Sequence, residues 1–224
     1  YLHWKFDFMY IKKILAIGIP SGLENGMFQL GKILVQSLIA TFGTYSIAAN
    51  AVSNNLAQMQ IIPGMAMSLA MVTVVGQCVG ANDYKQAKYY VKKLLKITYL
   101  SMAGLIVVLI IATPSILTFD SLSKETTDLA YQCIFLHAII AALIWPTSFT
   151  FPNALRAAND AKFTMIVSAA SMLIFRLCFS YVLGQYMNLG LIGVWIAMFI
   201  DWGVRCIFFI WRYFSGKWMN RQLV

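Results

Sequence analysis

The chain has 224 residues, of which 60% are apolar, against roughly 45–50% in soluble domains. Charged residues make up 11% and mean hydropathy is +0.73, which excludes a water-soluble globule and places the chain in a bilayer. Lys and Arg number 17 and Asp and Glu 8, a net charge of +9 that fits nucleic acid, an anionic membrane surface or a topology signal until its distribution is known.

A hydrocarbon core of about 30 Å needs about 20 helical residues. Apolar runs of that length, bounded by turn or charge signals, give six predicted spans at roughly Ile14–Phe42, Ile47–Val79, Ile97–Phe119, Leu129–Leu155, Phe163–Tyr186 and Leu191–Trp211. The expected fold is an all-α integral membrane bundle of six transmembrane helices. Residue 1 is Tyr1 rather than Met, and the first apolar stretch is too long and too polar-studded for a signal peptide, so the sequence reads as a fragment.

The first span is the most informative. At about 100° per residue, Ser21, Glu24, Asn25, Gln29, Lys32 and Gln36 fall within an arc of about 140°. A polar stripe of that length can line an aqueous cavity, and Glu24 lies about 15 Å inside the helix. Ionisable groups at membrane depth are functional candidates by default. Glu24 is therefore a candidate to titrate or to bind a cation, against the plainer role of a hydrogen-bonded helix contact. Lys32 either neutralises Glu24, repels a cationic ligand or snorkels outward.

In the second span Asn50, Asn54 and Gln58 recur at i, i+4 and i+8, with Ser53 beside them, a pattern that suits a facing cavity wall. Pro63-Gly64 is either a hinge or a packed kink. Between spans two and three, Lys85, Lys88, Lys92 and Lys96 share one helical face, as in a stretch lying along the membrane surface. Span four carries His137, a proton-relay or core histidine, and is broken by Trp145-Pro146 and Pro152. Span five contributes Arg176, for which Asp201 or Glu24 is the natural partner; on span six Asp201 and Arg205 stand at i, i+4, the spacing of a structural charge pair.

Basic residues alternate between loops. Lys5, Lys12 and Lys13 precede span one, five Lys from Lys85 to Lys96 follow span two, Arg156 and Lys162 follow span four, and Arg212, Lys217 and Arg221 follow span six, whereas the opposite loops hold only Lys124. The positive-inside rule then makes both termini cytoplasmic, in the plasma membrane. Bases divided among four loops also exclude a nucleic-acid partner. Trp4, Trp195, Trp211 and Trp218 lie near predicted span ends, as interfacial anchors do. The turns Ala81-Asn82-Asp83-Tyr84-Lys85 and Ala158-Asn159-Asp160-Ala161-Lys162 echo each other, either as a repeat or as shared turn chemistry.

Cys78, Cys133, Cys178 and Cys206 stand alone in apolar stretches, which reads as buried packing rather than disulfides or zinc. No Gly-rich phosphate loop, HExxH or Ser/His/Asp set is present, so no catalytic residues, no enzyme activity and no cofactor are expected.

Several segments resemble the C-terminal half of the multidrug and toxic compound extrusion (MATE) family. They are Gly18-Ile19-Pro20-Ser21-Gly22-Leu23-Glu24, Ala48-Ala49-Asn50-Ala51, Val75-Gly76-Gln77-Cys78-Val79-Gly80-Ala81-Asn82, the stretch from Asn153 to Phe163, and the stretch from Gly190 to Met198. The resemblance implies one lobe of a twelve-helix secondary antiporter, whose N-terminal lobe is a partner not contained in this chain. Such a protein would export small cationic or amphipathic compounds in exchange for Na⁺ or H⁺, with a possible Na⁺ site of unknown ligands. Glu24, Asn25, Gln29, Lys32, Asn50, Asn54 and Gln58 are the candidate ion-coupling or substrate residues. Many members place an acid two turns after the first-span proline, where this chain has Phe28, and another in span four, where it has none between Asp128 and Asp160. The coupling acid is then Glu24, or it lies in the other lobe. A lipid-linked saccharide flippase, favoured by a cationic cavity, and a non-transporting membrane scaffold are the competing readings.

Overall fold

The structure, a computed structural model, describes residues 8–119 and 123–219. Trp4, Lys5, Asp120 and Arg221 lie outside the described residues. All regular structure among those residues is helical, which pairs backbone N–H and C=O groups within each segment away from its ends, as lipid demands. The described residues form six helical rods: α1 (Phe8–Ala40), α2 (Thr44–Gly80), α3 (Tyr84–Phe119), α4 (Lys124–Trp145) continued by a π-helical turn at Pro146–Thr150 and by α5 (Pro152–Ala157), α6 (Ala161–Ser171) continued by π-helical Met172–Cys178 and Ser180–Tyr186, and α7 (Gly190–Phe214). The chain is an all-α integral membrane protein.

Five rods are long and apolar enough to cross a membrane. The remaining one, α1, has 33 residues but is made less apolar by its own stripe from Glu24 to Gln36. The basic stretch after α2 does not form a separate surface helix. It is the first part of α3, a single helix of 36 residues, about 54 Å long and so longer than the hydrocarbon core. Lys85, Lys88, Lys92 and Lys96 remain exposed on it, while Val91 and Ala87 are buried.

α2 is the central rod, packing on both α3 and α4, and α7 runs along the π-helical half of the fifth rod. The core has two parts. One gathers Val35, Leu56, Met102, Ile134, Trp195 and Trp202; the other, towards the basic end, gathers Met71, Val75, Val91, Leu155, Phe209 and Trp218. Trp195 and Trp218 are thus buried core residues rather than interfacial anchors, and only Trp211 of the described candidates is exposed. Trp218 stacks on Tyr213 with centroids 5.2 Å apart, and its Nε1 donates to the Tyr213 carbonyl at 3.0 Å. Cys78 and Cys133 are buried, whereas Cys178 is exposed and Cys206 half-buried, and none forms a disulfide.

The two echoing turns share one geometry. Asn82 and Asn159 both have left-handed φ, 58° and 62°. In each turn the Asn N–H donates three residues back, to Val79 and Arg156, and the following Asp N–H donates five back, to Cys78 and Leu155. This is the Schellman stop, with Asn at the left-handed position that it tolerates better than most residues. The two Asp side chains then diverge. Asp83 Oδ1 accepts from the Gln86 N–H at 2.9 Å and caps α3, while Asp160 takes both Nε and Nη2 of Arg212 at 2.6 and 3.2 Å, tying α6 to the end of α7.

Pro63 does not break α2. The helix runs through it, and the next residue, Gly64, marks a close approach: a Cβ there would run into the Trp145 ring and lie 2.8 Å from Met102 Sδ. The Gly64 carbonyl also accepts from Ser68 Oγ at 2.8 Å and from Thr150 Oγ1 at 3.2 Å. Pro63-Gly64 is therefore a packed contact. Gly64→Ala is expected to destabilise by about 1–3 kcal/mol, the usual range for overpacking. Thermal unfolding of the detergent-solubilised protein checks this; an unchanged midpoint would show that Trp145 yields freely.

Candidate functional site

Span four changes register where Pro146 removes a backbone donor. Its carbonyl accepts from Phe151 N at 2.9 Å, an i+5 bond that widens the turn. The widened turn aims Ser148 Oγ at the Trp202 carbonyl, 2.6 Å away, and Thr150 Oγ1 at Gly64. Trp145 and Phe149 on this turn stack with centroids 5.1 Å apart, and Trp202 of α7 meets Phe149 edge-on at 5.6 Å.

These rings form one wall of a cavity of about 770 Å³. Polar groups from α1 and α2 form another, with Asn25, Lys32, Asn54 and Gln58 on the lining and Arg176 reaching in from the fifth rod. A second cavity of about 320 Å³ shares Lys32, Asn54, Gln58 and Arg176 and adds Gln36 and Asn50. The polar stripes of the first two spans thus face one space in part. Gln29 is exposed and does not line either cavity. Ser53 turns away, donating to the Ala130 carbonyl at 3.4 Å.

Within the polar wall Asn50 is a fixed junction. Its Nδ2 donates to Gln36 Oε1 at 2.9 Å, its Oδ1 accepts from Trp195 Nε1 at 3.2 Å, and its carbonyl accepts from Asn54 Nδ2 at 2.8 Å. Three rods, α1, α2 and α7, are joined through one side chain. His137 Nδ1 and Gln60 Oε1 lie 2.6 Å apart, a buried hydrogen bond that joins α4 to α2. The ring is packed edge-on between Trp195 and Trp202, 5.7 and 5.5 Å away, which makes it a hydrogen-bonded core histidine at the cavity wall.

The charges are arranged differently from the simplest expectation. Glu24 Oε1 lies 2.5 Å from Arg156 Nη2, a base grouped by sequence with the loop signals, and Arg156 Nη1 is fixed by Asn153 Oδ1 at 2.7 Å. Glu24 is not on the cavity lining. Asp201 and Arg205 form a buried pair at 2.9 Å, with Ser171 Oγ also donating to Asp201 Oδ1. Arg176 joins neither acid. It has no ion pair within 4.0 Å among the described residues and instead sits over the Phe28 ring, 5.4 Å from its centroid, on the same ring that Lys32 Nζ approaches at 5.1 Å. No group of three or more His, Cys, Asp or Glu suited to a metal occurs among the described residues.

Two sets of residues were not given their site roles from sequence. Arg156 hid among loop bases because its partner is 132 positions away. The aromatic wall had a signal: Trp195, Met198 and Trp202 recur at i, i+3 and i+7, one face of a helix.

The chain is similar to known proteins over nearly its whole length. It is 26% identical over 217 residues to the probable multidrug resistance protein NorM of Thermotoga maritima, covering 95% of this chain and 46% of that protein. It is also 26% identical over 223 residues to the uncharacterized transporter YisQ of Bacillus subtilis, covering 96% and 47%. It therefore spans about half the length of the relatives it matches. A solved outward-facing conformation of a multidrug resistance MATE family transporter of the MOP superfamily superposes with a TM-score of 0.86 at 18% identity, covering 99% of this chain and 50% of that one. The MatE family model matches residues 20–182, well over half of the described rods, and the chain belongs to that family, whose members are transporters and not enzymes.

Proposed function

We propose that this chain is one lobe of a secondary multidrug exporter and supplies half of its substrate path, with both of its termini on the cytoplasmic side of the plasma membrane. The observation that carries the reading is the cavity of about 770 Å³, within the roughly 300–1,000 Å³ of drug-sized ligand sites, bounded by an aromatic wall and by the polar stripes of α1 and α2. Such a lining takes amphipathic compounds. The half-length match to two relatives supports a second lobe closing the other side, with alternating access arising from rocking of the two.

Coupling to Na⁺ or H⁺ falls to Glu24 in this proposal. A proton or Na⁺ on Glu24 removes the charge that holds Arg156 at 2.5 Å and frees α1 from the end of span four, so ion binding and rod position are linked. The test uses the full-length protein in proteoliposomes under imposed Na⁺ or H⁺ gradients, with export of a fluorescent amphiphile as readout. Glu24→Gln is expected to uncouple export from the gradient, lowering the gradient-driven rate by about tenfold or more, the effect of about 1.4 kcal/mol. Gradient-driven export unchanged in a folded Glu24→Gln protein would contradict a coupling role for Glu24.

A further inference from the structure

The cavity lining is unbalanced in two independent respects. Among the described residues, the charged groups on it are Lys32 and Arg176, both cations, and none is an Asp or Glu. Among lining residues, the buried polar atoms that lack a hydrogen-bond partner are Arg176 Nε and Trp202 Nε1, and both are donors. The third cation near Phe28, Arg205, is already engaged by Asp201 at 2.9 Å and by the Ser168 carbonyl at 3.1 Å. Lys32 and Arg176 have no acid within 4.0 Å among the described residues; Asp201, already held by Arg205, acts on Arg176 only from farther off, and charges at membrane depth without a close counter-charge are expensive.

What complements this lining follows from its chemistry. A cation meets like charge, and a neutral acceptor answers the unpartnered donors but leaves both charges standing. An anion answers both. On the same lining the half-buried Phe149, backed by the Trp145 ring at an interplanar angle of 20°, offers apolar area to a ring system.

We propose that the cavity binds a small amphipathic organic anion, an aromatic body bearing a carboxylate, sulfonate or phosphate head, with the head between Lys32 and Arg176 and the rings against Trp145, Phe149 and Trp202. The ligand names the substrate class of the transport path proposed above, and in that sense rests on that reading; binding itself is measurable without transport.

The test compares two xanthene dyes of similar ring size, fluorescein as the anion and tetramethylrhodamine ethyl ester as the cation, by equilibrium dialysis against the purified full-length protein. Wild type is expected to bind fluorescein the more tightly. Lys32→Gln is expected to weaken fluorescein about tenfold, the loss of one charge-assisted hydrogen bond, without weakening the cation. Lys32→Glu is expected to reverse the ranking. Lys32 has a side chain exposed to the cavity, so these variants leave the core intact, as an unchanged thermal midpoint would verify; Arg176→Gln is the second site. Tighter binding of the cationic dye by wild type, or fluorescein binding indifferent to both Lys32 variants, would overturn the proposal. Lys32-dependent fluorescein binding without gradient-driven export would leave this proposal standing and remove the transport reading, whereas export of the cationic dye without anion binding would do the reverse.

Discussion

Asp201→Leu is expected to lower stability by about 3–5 kcal/mol, the range for stripping one partner from a buried ion pair. Asp201 is fully buried and Arg205 is 3% exposed. The carboxylate holds Arg205 Nε at 2.9 Å and receives Ser171 Oγ, so it joins α7 to α6 and neutralises a guanidinium that has no route to water. Its removal leaves Arg205 with the Ser168 carbonyl as a hydrogen-bond partner and with the Phe28 and Phe149 rings, but with no counter-charge within 4.0 Å among the described residues. The double variant Asp201→Leu, Arg205→Met is expected to recover most of the loss, because two apolar groups of similar volume need no counter-charge. Thermal unfolding of the solubilised protein, read by Trp fluorescence, measures both. A single variant as stable as wild type would mean that Arg205 finds another acid, and the charge pair would then have no structural role.

The second large effect is expected at Gly193. A Cβ built there would lie 2.7 Å from the Leu183 carbonyl carbon and oxygen and 2.8 Å from Gly184 N, all backbone atoms that cannot rotate aside. The missing side chain is what lets α7 lie directly on the π-helical segment Ser180–Tyr186, the device by which membrane helices gain close packing. Gly193→Ala therefore has to push two rods apart, at a cost at or above the upper end of the roughly 1–3 kcal/mol typical of overpacking. Gly203→Ala on the same helix meets nothing within 4 Å and is expected to be neutral. Monodispersity and thermal midpoint of the two variants separate a packing effect from a general intolerance of Ala in α7. Equal midpoints would contradict the close approach.

The rods were legible because a bilayer permits few alternatives: apolar length and loop charge suffice to find them, and the five apolar rods follow that pattern. The extent of α3 was not legible, since the amphipathic stretch from Lys85 to Lys96 satisfies both a surface helix and the exposed end of a longer one. The polar stripes of α1 and α2 were readable from helical periodicity, and Asn25, Lys32, Asn54 and Gln58 do share a cavity. Periodicity reports a face, however, and not its neighbour. It could not show that Ser53 turns to Ala130, that Glu24 is held by Arg156, or that Arg176 settles on Phe28 rather than on an acid. Those pairings depend on rod packing, which in turn depends on contacts such as Gly64 against Trp145 and Gly193 against Leu183. Trp195 illustrates the same limit: its place near a span end suits an interfacial anchor, but its indole N–H is taken by Asn50 inside the bundle.

The central claim, that the stripes of α1 and α2 line a water-filled substrate path, is tested most directly by thiol accessibility. In the full-length protein with its native cysteines replaced by Ala, Gln58→Cys lies on both cavity linings, whereas Ile111→Cys replaces a side chain that is 74% exposed on the outer face of α3. With a charged, water-soluble thiol reagent on the micelle-embedded protein, Gln58→Cys is expected to react and Ile111→Cys to stay unmodified. Reaction at Ile111→Cys with none at Gln58→Cys, or at neither site, would contradict a hydrated cavity between these helices.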